Sequence, residues 1–217
     1  MSEAMINLLV QALGETLLMV SASALISALI GVPLGVALHI TKADGILANP
    51  WLQRILGVVV NVGRSVPFII LLVAIIPFTR LIVGTSIGTV AAIVPLTVGA
   101  IPFVARLVEG ALLEVPSGLV EAAQAMGARP LQIVNKVLLP EALPGIVNAI
   151  TITLVALVNY SAMAGAIGGG GLGDVGIRYG YQRFDPLVML VTVVILVVLV
   201  QLIQSVGEHL VRRVDHR

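Results

Sequence analysis

The chain has 217 residues, of which 59% are hydrophobic and 11% charged, with a mean hydropathy of +1.11 and a formal net charge of +1. That balance excludes an ordinary soluble globular domain and a nucleic-acid-binding domain with a strong basic face. The absence of cysteine excludes a disulfide framework and a thiolate metal site.

The apolar runs are continuous rather than alternating, which predicts helices and not the strands of an outer-membrane barrel. A hydrocarbon core of about 30 Å needs about 20 helical residues, and five apolar runs meet that length, at about 16–40, 56–79, 87–105, 144–167 and 186–206, charged only at Arg64. The first run has no basic residue before Lys42 and no basic n-region, so it is expected to be an uncleaved span. It carries Gly31, Pro33 and Gly35 near its end. The second contains Asn61, Gly63, Arg64 and Pro67, and the third Pro95 and Pro102. The fourth holds Asn148, Asn159, Tyr160 and Ser161, while the fifth is the most uniformly apolar.

Gly31 with Gly35, and Gly165 with Gly169 and Gly173, have the small-xxx-small spacing that lets helices approach closely. These features predict one all-α, multi-pass bundle over residues 1–217. His39, His209 and His216 fall at span ends or in the tail, so no metal cluster is expected.

Basic residues near span ends are retained on the cytoplasmic side. One set of ends holds Lys42, Arg54, Arg64, Arg106, Arg129, Lys136, Arg212, Arg213 and Arg217; the other holds Arg80, Arg178 and Arg183. The bias predicts an external N-terminus, a cytoplasmic C-terminus and a cytoplasmic loop at about 106–143.

That loop reads as two short amphipathic helices. Ser117 is the expected N-cap of the first, which runs to about Met126 with Gly127 as a left-handed C-terminal residue. Leu119, Ala123 and Met126 share its expected buried face. Pro130 opens the second, with Leu131, Val134 and Leu138 as its stripe and Pro140 as its stop. A pair of helices resting on lipid headgroups would favour many cations, yet only Arg129 and Lys136 are present, so docking to a protein partner is the better reading.

Glu121, Ala122 and Ala123, with Gly127 in E-A-A-x-x-x-G spacing and Pro140 closing the segment, resemble the EAA signature of permease subunits of ATP-binding-cassette importers. Membership implies a type I importer permease fold in which this loop is a coupling helix seated on a separate ATPase subunit. The stretches RSVPFIILL from Arg64, IPFTR from Ile76, VGTSIG from Val83 and AIVPLTVG from Ala92 narrow the resemblance to methionine-importer permeases. YSAM from Tyr160 and the run Gly168 to Gly173 fit the same group.

The resemblance implies a homodimer in the bacterial inner membrane, with the pathway along its axis. It also implies two ATPase subunits that bind ATP and Mg, a periplasmic or lipid-anchored binding protein, and D- and L-methionine as substrate. Tyr160, Ser161 and Met163 are the expected pathway or gate residues, because polar groups within a span face a cavity or a partner helix and a thioether is a flexible plug. Arg64 reads first as a snorkelling residue at the cytoplasmic edge.

Gly168 to Gly173 also satisfies G-x-G-x-x-G, but that pattern binds dinucleotides only between a strand and a helix. No G-x-x-x-x-G-K-[ST] stretch exists, so no cofactor or catalytic residue is expected on this chain. The residues themselves leave open a permease for another small solute, an osmolyte or a different amino acid, and a channel or structural membrane subunit. A filter sequence or charged ring would mark a channel, and neither is present.

Overall fold

The computed structural model describes residues 3–215; His216 and Arg217, counted above for metal binding and charge bias, lie outside them. Among the described residues all regular structure is helical. Four helices are long and apolar enough to cross a bilayer: α1 (Glu3–Ile40), α5 (Thr89–Leu113), α9 (Leu143–Ala164, continued by a π-turn to Gly169) and α11 (Pro186–Val214).

The second expected span is not one helix. It divides into α2 (Pro50–Ser65), α3 (Phe68–Ala74) and α4 (Ile76–Val83), with α2 and α3 bent by 100°. The break follows from Pro67. A residue preceding proline is pushed out of the helical region, and Val66 is extended at φ −80°, ψ 122°.

α1 and α5 run parallel and form the centre of the bundle. Ser23 donates to the Ile93 carbonyl, while Gly31 lies against Val104 and Gly35 against Val108. A Cβ at Gly35 would sit 2.6 Å from the Ala105 carbonyl oxygen, so the expected close approach is real at this position. The parallel pairing fixes the topology: the segment joining the end of α1 to the start of α5 must travel the length of the bundle. The bent α2–α4 unit is therefore a broken span rather than a hairpin returning to the same face, which gives five crossings.

α9 packs on both central helices, and α11 on α9. Gly145 meets Ala111 at one end of the α5–α9 contact, and Gly207 of α11 abuts Thr151 of α9. Beside a small cluster of Leu38, Val60 and Ala105 that joins α1, α2 and α5, three larger apolar clusters follow one another along the bundle. Leu9, Leu172 and Val188 hold the α1 N-terminal end; Met19, Leu72, Leu96 and Leu157 hold the middle; Val104, Val108, Leu112, Ala123 and Leu138 hold the far end.

Two of the overruns beyond the expected spans follow continued burial. α1 begins at Glu3 because Leu9 and Ala12 are buried, giving a helix of about 57 Å at 1.5 Å per residue. α5 continues through residues 106–113, expected to belong to the loop, because Val108 and Leu112 extend its buried face. α11 continues past residue 206 to Val214.

Candidate functional site

The loop that joins α5 to α9 contains α6 (Ser117–Ala125), α7 (Pro130–Ile133), a π-turn at Val134–Leu138 and α8 (Leu139–Glu141). α6 begins after Pro116, whose extended backbone (φ −59°, ψ 128°) turns the chain out of α5. Ser117 is the first helical residue, and its hydroxyl makes no cap; proline's fixed φ performs the turn that a serine cap was expected to make.

The other end closes as expected. Gly127 has φ +78°, its amide donates to the Gln124 carbonyl at 2.9 Å, and the Ala128 amide donates to the Ala123 carbonyl at 3.0 Å. This pair of bonds is the Schellman closure, which needs a left-handed residue at the glycine position.

The faces differ from the expected stripe. Ala123 is buried and Val120 packs beside it, whereas Leu119 and Met126 point outward, Met126 with 81% of its surface exposed. The inward pair lies at i, i+3, and α6 packs on α7 and on the π-turn at Val134–Leu138, in one apolar cluster with Val108 and Leu112 of α5. Glu121 and Ala122 are exposed. Glu121 and Gln124 border a polar cavity of about 230 Å³ whose opposite wall is His39 and Lys42 at the end of α1.

In the second half the Gln132 side chain accepts from the Arg129 amide at 2.8 Å, closing the start of α7. Ile133, Val134 and Leu138 are buried, but Leu131 is 71% exposed, so it is not part of the inward stripe. Pro140 does not stop the helix. The π-turn before it accommodates its missing N–H, and the chain breaks two residues later at Ala142, where ψ is −3°.

The expected gate residues divide between two environments. Ser161 is buried, and its hydroxyl donates to the Val158 carbonyl of its own helix at 2.7 Å. Tyr160 stacks on Phe68 with ring centroids 4.5 Å apart and planes 12° apart, against a cavity of about 190 Å³ that Arg64 also borders. Met163 is 38% exposed and shares an open stripe of α9 with Ile152, Asn159 and Ile167. Asn159 donates only within its helix, to the Val155 carbonyl at 3.1 Å. Tyr160 and Met163 thus present side-chain surface, while Ser161 faces the bundle interior.

The glycine run Gly168 to Gly173 spans the turn after α9 and the start of α10 (Gly171–Val175), with helix on both sides. Gly168, Gly170 and Gly171 all have positive φ. The turn is held by the Gly88 amide on the Gly168 carbonyl at 2.8 Å and by the Leu172 amide on the Thr16 hydroxyl at 2.9 Å. The Glu15 carboxylate accepts a third bond from this turn, so both Glu15 and Thr16 of α1 support it. Glu15 attracted no role from the sequence; a lone carboxylate in an otherwise apolar stretch was the available signal.

A second residue went unmarked. Glu109 of α5 is almost completely buried, yet carries two ionic partners, Lys42 at 3.0 Å and Arg106 at 2.6 Å.

Comparisons with known proteins address the whole architecture. Residues 31–216 match the family described as "Binding-protein-dependent transport system inner membrane component". The chain is 68% identical over 211 residues to the "Probable D-methionine transport system permease protein MetI" of Vibrio cholerae serotype O1, covering 97% of this chain and 94% of that protein. It is 63% identical over 165 residues to the "D-methionine transport system permease protein MetI" of Escherichia coli K12, covering 76% of each.

Among solved structures, a chain of "Inward facing conformations of the MetNI methionine ABC transporter: CY5 native crystal form" superposes with a TM-score of 0.98 at 59% identity, covering 100% of both chains. A chain of an amino acid ABC transporter with histidines shares the fold alone, with a TM-score of 0.74 at 19% identity over 96% of this chain and 93% of that one. By its sequence over nearly the full length and by its fold, the chain belongs to the binding-protein-dependent transport system inner membrane component family.

Proposed function

We propose that this chain is the membrane-spanning subunit of an ATP-driven importer that carries D- and L-methionine across the bacterial inner membrane by alternating access. The observation that carries this reading is the full-length similarity to a chain of the inward-facing methionine transporter, at 59% identity and a TM-score of 0.98. The identities to D-methionine transport permeases support the same substrate.

The chain works as a homodimer with two ATPase subunits beneath it, and a periplasmic or lipid-anchored binding protein delivers methionine from outside. ATP and Mg belong to the ATPase subunits. The basic residues clustered at one end of the spans support an external N-terminus and a cytoplasmic C-terminus. On that orientation, α6 lies on the cytoplasmic side.

Coupling runs through Glu121, Ala122, Ala123 and Gly127. Glu121 and Ala122 are turned outward for the ATPase subunit, Ala123 anchors the helix in the apolar cluster it shares with the π-turn at Val134–Leu138, and Gly127 sets its exit. Leu119 and Met126 add exposed apolar surface of the sort a partner groove covers. Pro140 lies in the strut between α6 and α9. Closure of the ATPase pair on ATP draws the two coupling helices together and opens the spans outward; release of hydrolysis products reverses it. The cycle requires only that nucleotide and substrate bind the two conformations unequally.

The pathway lies along the faces of α2–α3 and α9 that no other helix of this chain covers. A backbone broken at Val66 and Pro67 is unsuited to lipid, where unpaired peptide groups find no partner, but suits a water-filled passage. Tyr160 and Met163 lie at or near that face, Met163 as a flexible apolar gate. Ser161 supports the gate from behind by holding its own turn of α9. α11, apolar throughout its first half and little covered, faces lipid.

The test is reconstitution of the permease with its ATPase subunit and binding protein, with labelled D- and L-methionine on one side. ATP-dependent uptake that excess unlabelled methionine abolishes, and excess of other amino acids does not, is the expected result. ATP-dependent uptake of another solute with no uptake of methionine would overturn the substrate, and failure to bind an ATPase subunit would overturn the importer.

A further inference from the structure

We propose that Glu109 is a positioning residue for coupling: with Lys42 and Arg106 it welds the cytoplasmic end of α1 to α5, so that the coupling helix moves both central helices as one lever. The proposal rests on the importer reading for its functional consequence and on geometry for the weld.

The carboxylate is fully engaged. Lys42, in the turn after α1, places its ammonium 3.0 Å from Oε1, and Arg106, one turn earlier on α5, places Nη1 2.6 Å from Oε2. The Glu109 side chain is 3% exposed, against 24% for Lys42 and 44% for Arg106, so a carboxylate sits inside while its partners reach water. A carboxylate is costly to bury without such partners, and hydrophobic packing would hold two helices together without that cost. An ion pair adds a fixed register, since it is satisfied only when α1 and α5 stand at one relative height.

Position gives the register its use. The parallel contact of α1 and α5 descends through Gly31 against Val104 and Gly35 against Val108, and Lys42 on Glu109 extends it past the last glycine. Val108 and Leu112, on either side of Glu109, share one apolar cluster with Ala123 of α6 and with Val36 and Ile40 of α1. α6 itself packs chiefly on α7 and on the π-turn at Val134–Leu138, and the cluster they share carries its movement to both helices at the level of the weld. Lys42 also faces the cavity bordered by Glu121 and Gln124, which leaves room for α6 to shift without breaking the Glu109 contacts. With the weld intact, displacement of α6 reaches α1 and α5 together; without it, α5 can move while α1 stays behind.

The test uses the permease assembled with its ATPase subunit in lipid nanodiscs. The chain has no native cysteine, so Ala43→Cys in the turn after α1 and Leu113→Cys at the end of α5 take spin labels selectively. Between nucleotide-free and ATP-trapped complexes the label distance is expected to stay constant in the otherwise unaltered chain. In Glu109→Gln it is expected to broaden, with methionine moved per ATP hydrolysed falling about fivefold or more while assembly and ATP hydrolysis persist. Glu109→Asp is expected to recover part of that ratio.

Lys42→Met leaves Arg106 on the carboxylate and is the second variant if Glu109→Gln does not assemble; it too should lose coupling. An inter-label distance that changes with nucleotide in the unaltered chain, or an unchanged distance and ratio in the assembled variants, overturns the weld. If the unaltered complex hydrolyses ATP but moves no methionine, the importer reading fails for this substrate, and the distance measurement alone decides the weld.

Discussion

The amide of Gly171 donates to the carboxylate of Glu15 at 2.8 Å, joining residues 156 positions apart and fastening the glycine turn to α1. The same carboxylate accepts from Gln11 Nε2 at 3.0 Å, so it is oriented before it meets the glycine. Hydrogen bonds to charged groups contribute about 1.5–3 kcal/mol. Glu15→Leu is expected to lose about that much, lowering the midpoint of thermal unfolding in detergent, and Glu15→Gln, which keeps a carbonyl acceptor, to lose less. Equal midpoints for the two variants would show that the carboxylate does not hold the turn.

Gly127 has open space where a side chain would go, so its requirement is conformational rather than steric. A left-handed backbone costs an ordinary L-residue about 1–2 kcal/mol, and asparagine less. The expected order of ATP-driven uptake is Gly127 above Gly127→Asn, then Gly127→Ala, with Gly127→Val lowest. If Gly127→Val retains full transport and full stimulation of ATP hydrolysis by the binding protein, the exit geometry of α6 plays no part in coupling.

Gly35 presents the opposite case. Its φ is ordinary, but an added Cβ would press on Val108 and on the Ala105 carbonyl, neither of which can swing away. Overpacking of this sort costs about 1–3 kcal/mol. Gly35→Ala is expected to reduce the yield of folded protein and its unfolding midpoint, whereas Gly14→Ala, with open space around the site, should leave both unchanged. Parity between the two would contradict the close α1–α5 approach.

Tyr160 and Met163 are separable by chemistry. Tyr160→Phe keeps the ring on Phe68 and should retain uptake, while Tyr160→Ala removes a stacking contribution of about 0.5–1.5 kcal/mol and loosens α3 from α9. Met163→Ala should leave assembly intact and raise ATP hydrolysis in the absence of substrate relative to uptake, as expected for a gate that no longer closes. Uptake and ATP hydrolysis both at the unaltered level in Met163→Ala would assign the methionine to packing alone.

Much of the fold was legible because a bilayer imposes length and apolarity on every crossing, and a run without charges records both. The α6 closure at Gly127 was legible too, since only a left-handed residue fits there. The break at Pro67 was visible as a proline but not as a bend of 100°, because proline in a span is compatible with a mild kink when neighbours supply hydrogen bonds. Two helix ends were misplaced because burial continues beyond the expected spans, at Leu9 and at Leu112, while α11 runs on to Val214 with mostly exposed residues. The faces of α6 were assigned to Leu119, Ala123 and Met126, yet Val120 and Ala123 turn inward; a nine-residue helix has too few turns for its period to choose between adjacent faces.

The sequence by itself determined that this is a helical membrane protein with a glycine-closed amphipathic helix in a loop, because hydropathy, charge placement and backbone preference are local properties. Only the tertiary structure decided that Glu109 is a buried ionic centre, that Glu15 caps a turn near the other end of the chain, and that Ser161 faces inward while Met163 does not. Each of these depends on which helices become neighbours. A carboxylate in a sequence carries the same charge whether water or a lysine from another helix surrounds it, and the fold alone supplies that surrounding.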